Sequence, residues 1–215
     1  MDTAIDRDVV VRAGSIGLPG QLTIPAQAAG LVVFAHGSGS SRLSPRNRHV
    51  ADLLNEGGLA TLLFDLLTPS EESDRAIVFD IEMLATRLAQ AALWVRAVPE
   101  ADGLTIGYFG SSTGGGAALW ASTLHGGHAS AVVSRGGRPD LAAPRLCEVT
   151  APSLLIVGGR DDVVIDLNRQ AQAQLKCTNE LAIVPGAGHL FEEPGTLDLA
   201  AGLAADWFVE YLGRA

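Results

Sequence analysis

The feature that most constrains this chain is a repeated switch of hydrophobic period. Short, unbroken apolar runs at 31–35 (LVVFA), 60–64 (ATLLF), 104–109 (LTIGYF), 131–134 (AVVS), 153–157 (SLLIV) and 181–184 (LAIV) have the length and character of strands buried on both faces. Between them, 45–55, 79–98, 113–124, 164–175 and 196–212 carry apolar residues at helical spacing. Parallel strands need long crossovers, so strand and helix in alternation predict a doubly wound, mostly parallel α/β sheet with helices on both faces. Ahead of the series, 8–12 and 17–24 flank a glycine-containing turn and predict an antiparallel hairpin at the sheet edge, for about eight strands in all.

No repeat, low-complexity tract or composition shift divides the 215 residues, so a single domain over 1–215 is expected, with the polar stretch 68–75 (TPSEESDR) as only a loop. Hydrophobic residues at 47% against 18% charged exclude a disordered chain. The 24 acidic and 15 basic residues give a formal charge of −9, which offers no field for nucleic acid or an anionic membrane. The expected partner is a small molecule; oligomeric state is open. Cys147 and Cys177 can form no disulfide framework, lie at no metal-ligand spacing and read as packing residues. The start MDTAIDRDVV lacks a signal-peptide pattern and no apolar stretch reaches membrane-spanning length, so a cytoplasmic location is expected.

Glycine is the odd entry: 25 glycines sit beside only 5% aromatic residues, and each costs about 1 kcal/mol inside a regular element unless the backbone needs it. Ten of them fall at predicted strand ends: 37, 39, 110, 114–116, 158, 159, 186 and 188. Those are the positions where an open parallel sheet places its ligands. After the strand ending at Phe109 comes GSSTG, a GxSxG centred on Ser112 and followed by a helical run. A strand turning sharply into a helix exposes its middle serine at the helix amino terminus, so Ser112 is the candidate nucleophile. After Ala35, the small-residue loop HGSGSS lets backbone N–H groups approach an oxygen that becomes negative, and the N–H groups of Ser38 and Thr113 are the expected oxyanion donors. The loop lacks the spacing and lysine of phosphate-binding loops. His36 reads as a buried loop anchor.

A serine hydroxyl needs an imidazole base, and the base needs a carboxylate to fix its tautomer. After Val157 comes GGRDDVV, and after Val184 comes PGAGH, so Asp161 and His189 supply both at strand ends. Asp162 competes with Asp161 for the acid role. His49, His125 and His128 lie on or beside helices and read as solvated.

Together, VVFAHGSGSS, GYFGSSTGGG, LLIVGGRDDVV and VPGAGHLF resemble the α/β-hydrolase superfamily, and more closely its dienelactone-hydrolase-like branch, along essentially the whole chain. The order Ser112, Asp161, His189 is the order of that fold. The resemblance implies ester or lactone hydrolysis through an acyl-enzyme, with no metal and no organic cofactor. The dienelactone hydrolases proper carry cysteine where this chain has Ser112, which makes a general carboxylesterase the better inference. Acyl transfer or perhydrolysis on the same triad, and a non-catalytic binding protein of the same fold, are the alternatives. Only 18 residues, Arg135 to Pro152, separate the end of the sixth strand, Ser134, from the start of the next, too few for a large cap, so small soluble esters are the expected substrates. Arg42, Arg46, Arg48, Arg135 and Arg138 follow the site's loops; Arg42, Arg135 and Arg138 are candidates to bind a substrate carboxylate or phosphate.

Overall fold

A computed structural model describes residues 3–213; residues 1, 2, 214 and 215, the ends of the expected 1–215 domain, lie outside it. The elements are β1 (Thr3–Ala13), β2 (Ile16–Pro25), β3 (Leu31–Ala35), α1 (Pro45–Glu56), β4 (Ala60–Phe64), α2 (Arg75–Val78), α3 (Ile81–Arg96), β5 (Ile106–Ser111), α4 (Thr113–Ala121), β6 (Ala131–Arg135), β7 (Ser153–Gly158), α5 (Asp162–Gln172), β8 (Asn179–Val184) and α6 (Thr196–Leu212).

They form one eight-stranded sheet in the order β1-β2-β4-β3-β5-β6-β7-β8. β1 and β2 are the expected hairpin, longer than its apolar pattern suggested, and β2 runs antiparallel to β4. From β4 to β8 every pairing is parallel. The chain order reverses at β3, which lies between β4 and β5, so the loops leaving β3 and β5 diverge and open a crevice at their carboxyl ends.

Alternate strand residues feed two cores. Leu31, Val33 and Ala35 pack with α3 and α4, while Val32 and Phe34 pack with α1 and α6. Phe34 and Phe109, on neighbouring strands, meet with ring centroids 4.8 Å apart. Caps trim the helices. Ser44 accepts from the Asn47 N–H at the start of α1, with Pro45 in its first turn. The Asp80 side chain accepts from the Met83 N–H, so α3 begins at Ile81 rather than Phe79.

Other boundaries moved for local reasons. β5 starts two residues late, after a turn with Gly103 at φ +78°, and therefore ends at Ser111, directly before Ser112. β8 closes the sheet and is half exposed, unlike the fully buried inner strands its apolar run predicted. The polar stretch 68–75 is more than a loop: it leads into α2 and ties down the wall of a cleft. The β6–β7 connection holds a 3-10 helix over Pro139–Glu148 and no cap. Cys147 is exposed and Cys177 half-buried, so Cys147 does not pack. Among the described residues no helix is long and apolar enough to cross a membrane.

Candidate active site

Ser112 is the single residue between β5 and α4, and it turns the chain at φ 52°, ψ −122°. That conformation costs a non-glycine residue about 1–3 kcal/mol and persists only when its surroundings impose it. Here the Ser112 N–H donates to the Arg135 carbonyl (3.3 Å), and the Ser112 carbonyl accepts from the N–H groups of Gly115 and Arg138, each at 3.0 Å. The flanking glycines supply space. A Cβ on Gly110 would run into the Gly114 carbonyl, and a Cβ on Gly114 into that of Ala35.

His189 Nδ1 lies 2.6 Å from Asp161 Oδ2. A carboxylate only accepts, so Nδ1 carries the hydrogen and Nε2 is free to take a proton. The side chain of Asp161 is 15% exposed and that of His189 40%. Their loops are drawn together at Gly158, where a Cβ would stand 2.5 Å from the carbonyl oxygens of Ala187 and Gly188. Glu193 accepts from the Gly188 N–H at 2.9 Å, and that bond holds its carboxyl below the ordinary range. Asp162 opens α5 and is exposed. His125 and His128 are also exposed, and His49 pairs at the surface with Asp198 at 2.6 Å.

The β3 loop is anchored by His36, which is 5% exposed. Its Nε2 accepts from the Leu66 N–H (2.9 Å) and its Nδ1 donates to the Gly37 carbonyl (3.0 Å). Burial pushes its pKa below the ordinary histidine value. The two expected oxyanion donors differ. Thr113 opens α4, where a first-turn N–H has no acceptor within the helix. The Ser38 N–H donates to Thr113 Oγ1 at 2.8 Å, so its one hydrogen is already engaged and must be shared or released to meet an oxyanion.

Two clefts flank this loop and share Gly37, Ser38 and Ser40. One, about 270 Å³, is lined by Ser112, His189, Arg46, Asn47 and Arg135. The other, about 340 Å³, is lined by Leu66, Leu67, Val78, Leu84 and Glu72. Among the described residues no hydrogen bond within 3.5 Å joins Ser112 Oγ to the imidazole, a contact that often tightens only with substrate bound. Of the three candidate arginines, Arg135 lines one of these two clefts, and Arg42 and Arg138 line neither. Arg42 pairs with Asp65 and Arg138 with Asp140, so both guanidinium groups are already answered by carboxylates.

The sequence reading did not single out Asn47, Glu193 or the pair Glu71–Arg87. Arg87 donates to both Glu71 oxygens (2.6 and 2.8 Å) and to the Leu66 carbonyl (2.7 Å), and so holds the wall of the second cleft. Charge at a helical position, Arg87 in an otherwise apolar α3 face, was the one signal that could have found it.

No protein-family model matches the chain. It is 58% identical over 207 residues to a protein of two Mycobacterium tuberculosis strains that carries the name phosphoribosyl transferase; the match covers 96% of this chain and 47% of that protein. The chain thus spans about half the length of the curated relatives it matches. Among solved structures, it resembles Est1E from Butyrivibrio proteoclasticus at 16% identity, with TM-score 0.78 over 96% of this chain and 99% of that one, a likeness of fold alone. It resembles a dienelactone hydrolase from Anabaena variabilis far more closely, at 53% identity and TM-score 0.93, over 97% of this chain and 98% of that one. Since that likeness runs through sequence as well as fold and along nearly the full length of both chains, this chain belongs to the dienelactone hydrolase family of the α/β-hydrolases.

Proposed function

We propose that the protein is a serine hydrolase of small soluble carboxylic esters, with Ser112 as nucleophile, His189 as base and Asp161 as the acid that orients it. One observation carries the reading: the 2.6 Å Asp161–His189 hydrogen bond leaves Nε2 free in the same cleft as a serine held at a strained strand-to-helix turn. The sheet converges on this one site, which supports reading the chain as one α/β-hydrolase domain.

In the proposed cycle His189 Nε2 takes the Ser112 proton as Oγ bonds to the acyl carbon. The carbonyl oxygen becomes negative beside the Thr113 N–H, and beside the Ser38 N–H as that hydrogen turns to it from Thr113 Oγ1, and the carbon–oxygen bond to the alcohol breaks as His189 returns its proton to that oxygen. Water then gives a proton to His189, attacks the acyl group and releases the acid, and Ser112 regains its proton. Asp161 holds the imidazole's tautomer and stabilises its charged form throughout. The open clefts, uncovered by any cap, favour short soluble esters.

The transferase name of the Mycobacterium tuberculosis relative belongs to a protein of which this chain matches less than half. To test the proposal, the protein is incubated with a fluorophosphonate probe and the label located by mass spectrometry, beside Ser112→Ala and a p-nitrophenyl ester panel from acetate to palmitate. Labelling on Ser112, loss of turnover in the variant and preference for short acyl chains are expected. Labelling elsewhere overturns the assignment of Ser112, and product analysis with added alcohol separates hydrolysis from acyl transfer.

A further inference from the structure

The cleft that holds Ser112 and His189 contains a buried cation that has no counter-charge among the described residues. Arg135, the last residue of β6, is 5% exposed. Among the described residues its guanidinium makes one hydrogen bond, Nη2 to Asn47 Oδ1, long at 3.4 Å, and its Nε is buried with no partner. Phe191 lies under it, ring centroid 5.4 Å from Cζ. Phe191 keeps that place at φ 56°, a backbone conformation bulky side chains rarely adopt. Burial draws the pKa of Arg135 down to about 10, and the neighbouring charge that acts on it is a second cation, Arg46. Arg46 itself is answered by Glu192 at 3.2 Å. A buried charge is ordinarily paired; among the described residues Arg135 has no such pair.

The cleft across the oxyanion loop has the opposite character. Leu66, Leu67, Val78 and Leu84 line it, and Glu72 is its charged residue. An ester whose carbonyl sits by the Ser38 and Thr113 amides, at the loop the two clefts share, would have one cleft on each side for its two substituents. His189 lines the cationic cleft and not the apolar one, and the departing alcohol must take its proton from His189.

We infer that the substrate is an ester of a short apolar acid with an anionic alcohol, whose carboxylate or phosphate binds Arg135 beside Asn47 while the acyl chain fills the leucine-lined cleft. This rests on the serine-hydrolase reading. It is compatible with a formal charge of −9, because a small anion in the cleft meets a near guanidinium while distant surface charges are screened beyond about 8 Å.

The test compares kcat/KM for 3-(butyryloxy)benzoate, its neutral methyl ester, 3-(butyryloxy)phenyl phosphate, phenyl butyrate and monophenyl glutarate, which carries its charge on the acyl side. At least one anionic-alcohol ester should exceed the neutral methyl ester by about tenfold or more, the carboxylate and phosphate arms showing which anion fits. In Arg135→Met that ratio should collapse toward one, and in Arg135→Lys it should fall partway. Should the variants fail to fold, competitive inhibition of the unmodified protein by 3-hydroxybenzoate, lost at high salt, tests the same contact. Hydrolysis of phenyl butyrate with no preference for either anionic alcohol overturns the inference, and so does a preference for monophenyl glutarate. Failure to hydrolyse any ester, with no labelling of Ser112, overturns the underlying hydrolase reading instead; 3-hydroxybenzoate binding that survives Arg135→Met overturns the subsite by itself.

Discussion

The Ser38 N–H donates to Thr113 Oγ1 at 2.8 Å, so the two residues whose amides are proposed to hold the oxyanion also hold each other. Thr113 is buried, whereas Ser38 lies on an exposed glycine-rich loop. The hydroxyl therefore fixes where the Ser38 amide stands, and it gives up the amide's one hydrogen when the oxyanion forms. Thr113→Val keeps the shape and removes the acceptor. One net hydrogen bond of about 0.5–1.5 kcal/mol corresponds to a loss of roughly two- to tenfold in kcat. KM for phenyl butyrate should change little, and Thr113→Ser should restore the rate. Equal kcat for Thr113→Val and the unmodified protein would show that the bond positions nothing, and a higher kcat that it competes with the oxyanion for the Ser38 hydrogen.

The close approaches at the nucleophile turn predict a sharp asymmetry among glycines. Gly114→Ala and Gly110→Ala each drive a methyl group into backbone, which cannot give way as a side chain tip can. Each should cost about 3 kcal/mol or more, or abolish soluble expression. Gly202, in the interior of α6, has nothing within 4 Å of an added Cβ, so Gly202→Ala should stabilise by up to about 1 kcal/mol. Urea midpoints of the three variants check the ranking.

The sheet and the Ser112, Asp161 and His189 positions were legible because each depends on local pattern: a period that switches, and small residues at strand ends. What stayed hidden depends on contacts between distant segments. Glycine content suggested backbone freedom, yet Gly110 and Gly114 are not at positive φ; they are needed because the strand, the turn and the β3 loop pass so close, which no single segment reveals. Likewise Arg42, Arg135 and Arg138 look alike in the sequence. Only the placement of Asp65 and Asp140 separates the two paired arginines from the unpaired one. The loop 68–75 appeared inert because its partner, Arg87, arrives from α3.

Glu71 joins that loop to α3 by two hydrogen bonds from Arg87 and takes two more from Thr68 within the loop, which together hold its pKa down to about 2. The lowered value means that the pair's contribution to stability is present above the unfolded carboxyl value of 4.5 and is lost as pH falls from there toward 2. Glu71→Gln should flatten the loss of stability in that window. Because Arg87 also holds the Leu66 carbonyl, the variant should raise KM for butyryl esters more than for acetyl esters. An unchanged ratio of the two KM values would separate this pair from the acyl cleft.

His36 should make the fold sensitive to mild acid. Its two neighbours leave no room for a second proton: the Gly37 carbonyl accepts from Nδ1, and the Leu66 N–H points at the bare Nε2. Burial is the main cause that lowers its pKa, opposed by the Gly37 bond and by the charges of Asp65 and Glu72. The unfolded chain takes up a proton near the ordinary value of 6.5, while the folded protein resists it to lower pH. Below 6.5 the unfolded state therefore binds more protons, so stability present above that value is lost as pH falls toward the folded pKa, at no more than about 1.4 kcal/mol per pH unit. His36→Gln can supply one acceptor and one donor without titrating. The difference in Tm between the unmodified protein and His36→Gln should be constant from pH 7 to 8 and should shift in favour of the variant between pH 6.5 and 5. Parallel melting curves across that range would mean that the His36 proton affinity is the same folded and unfolded.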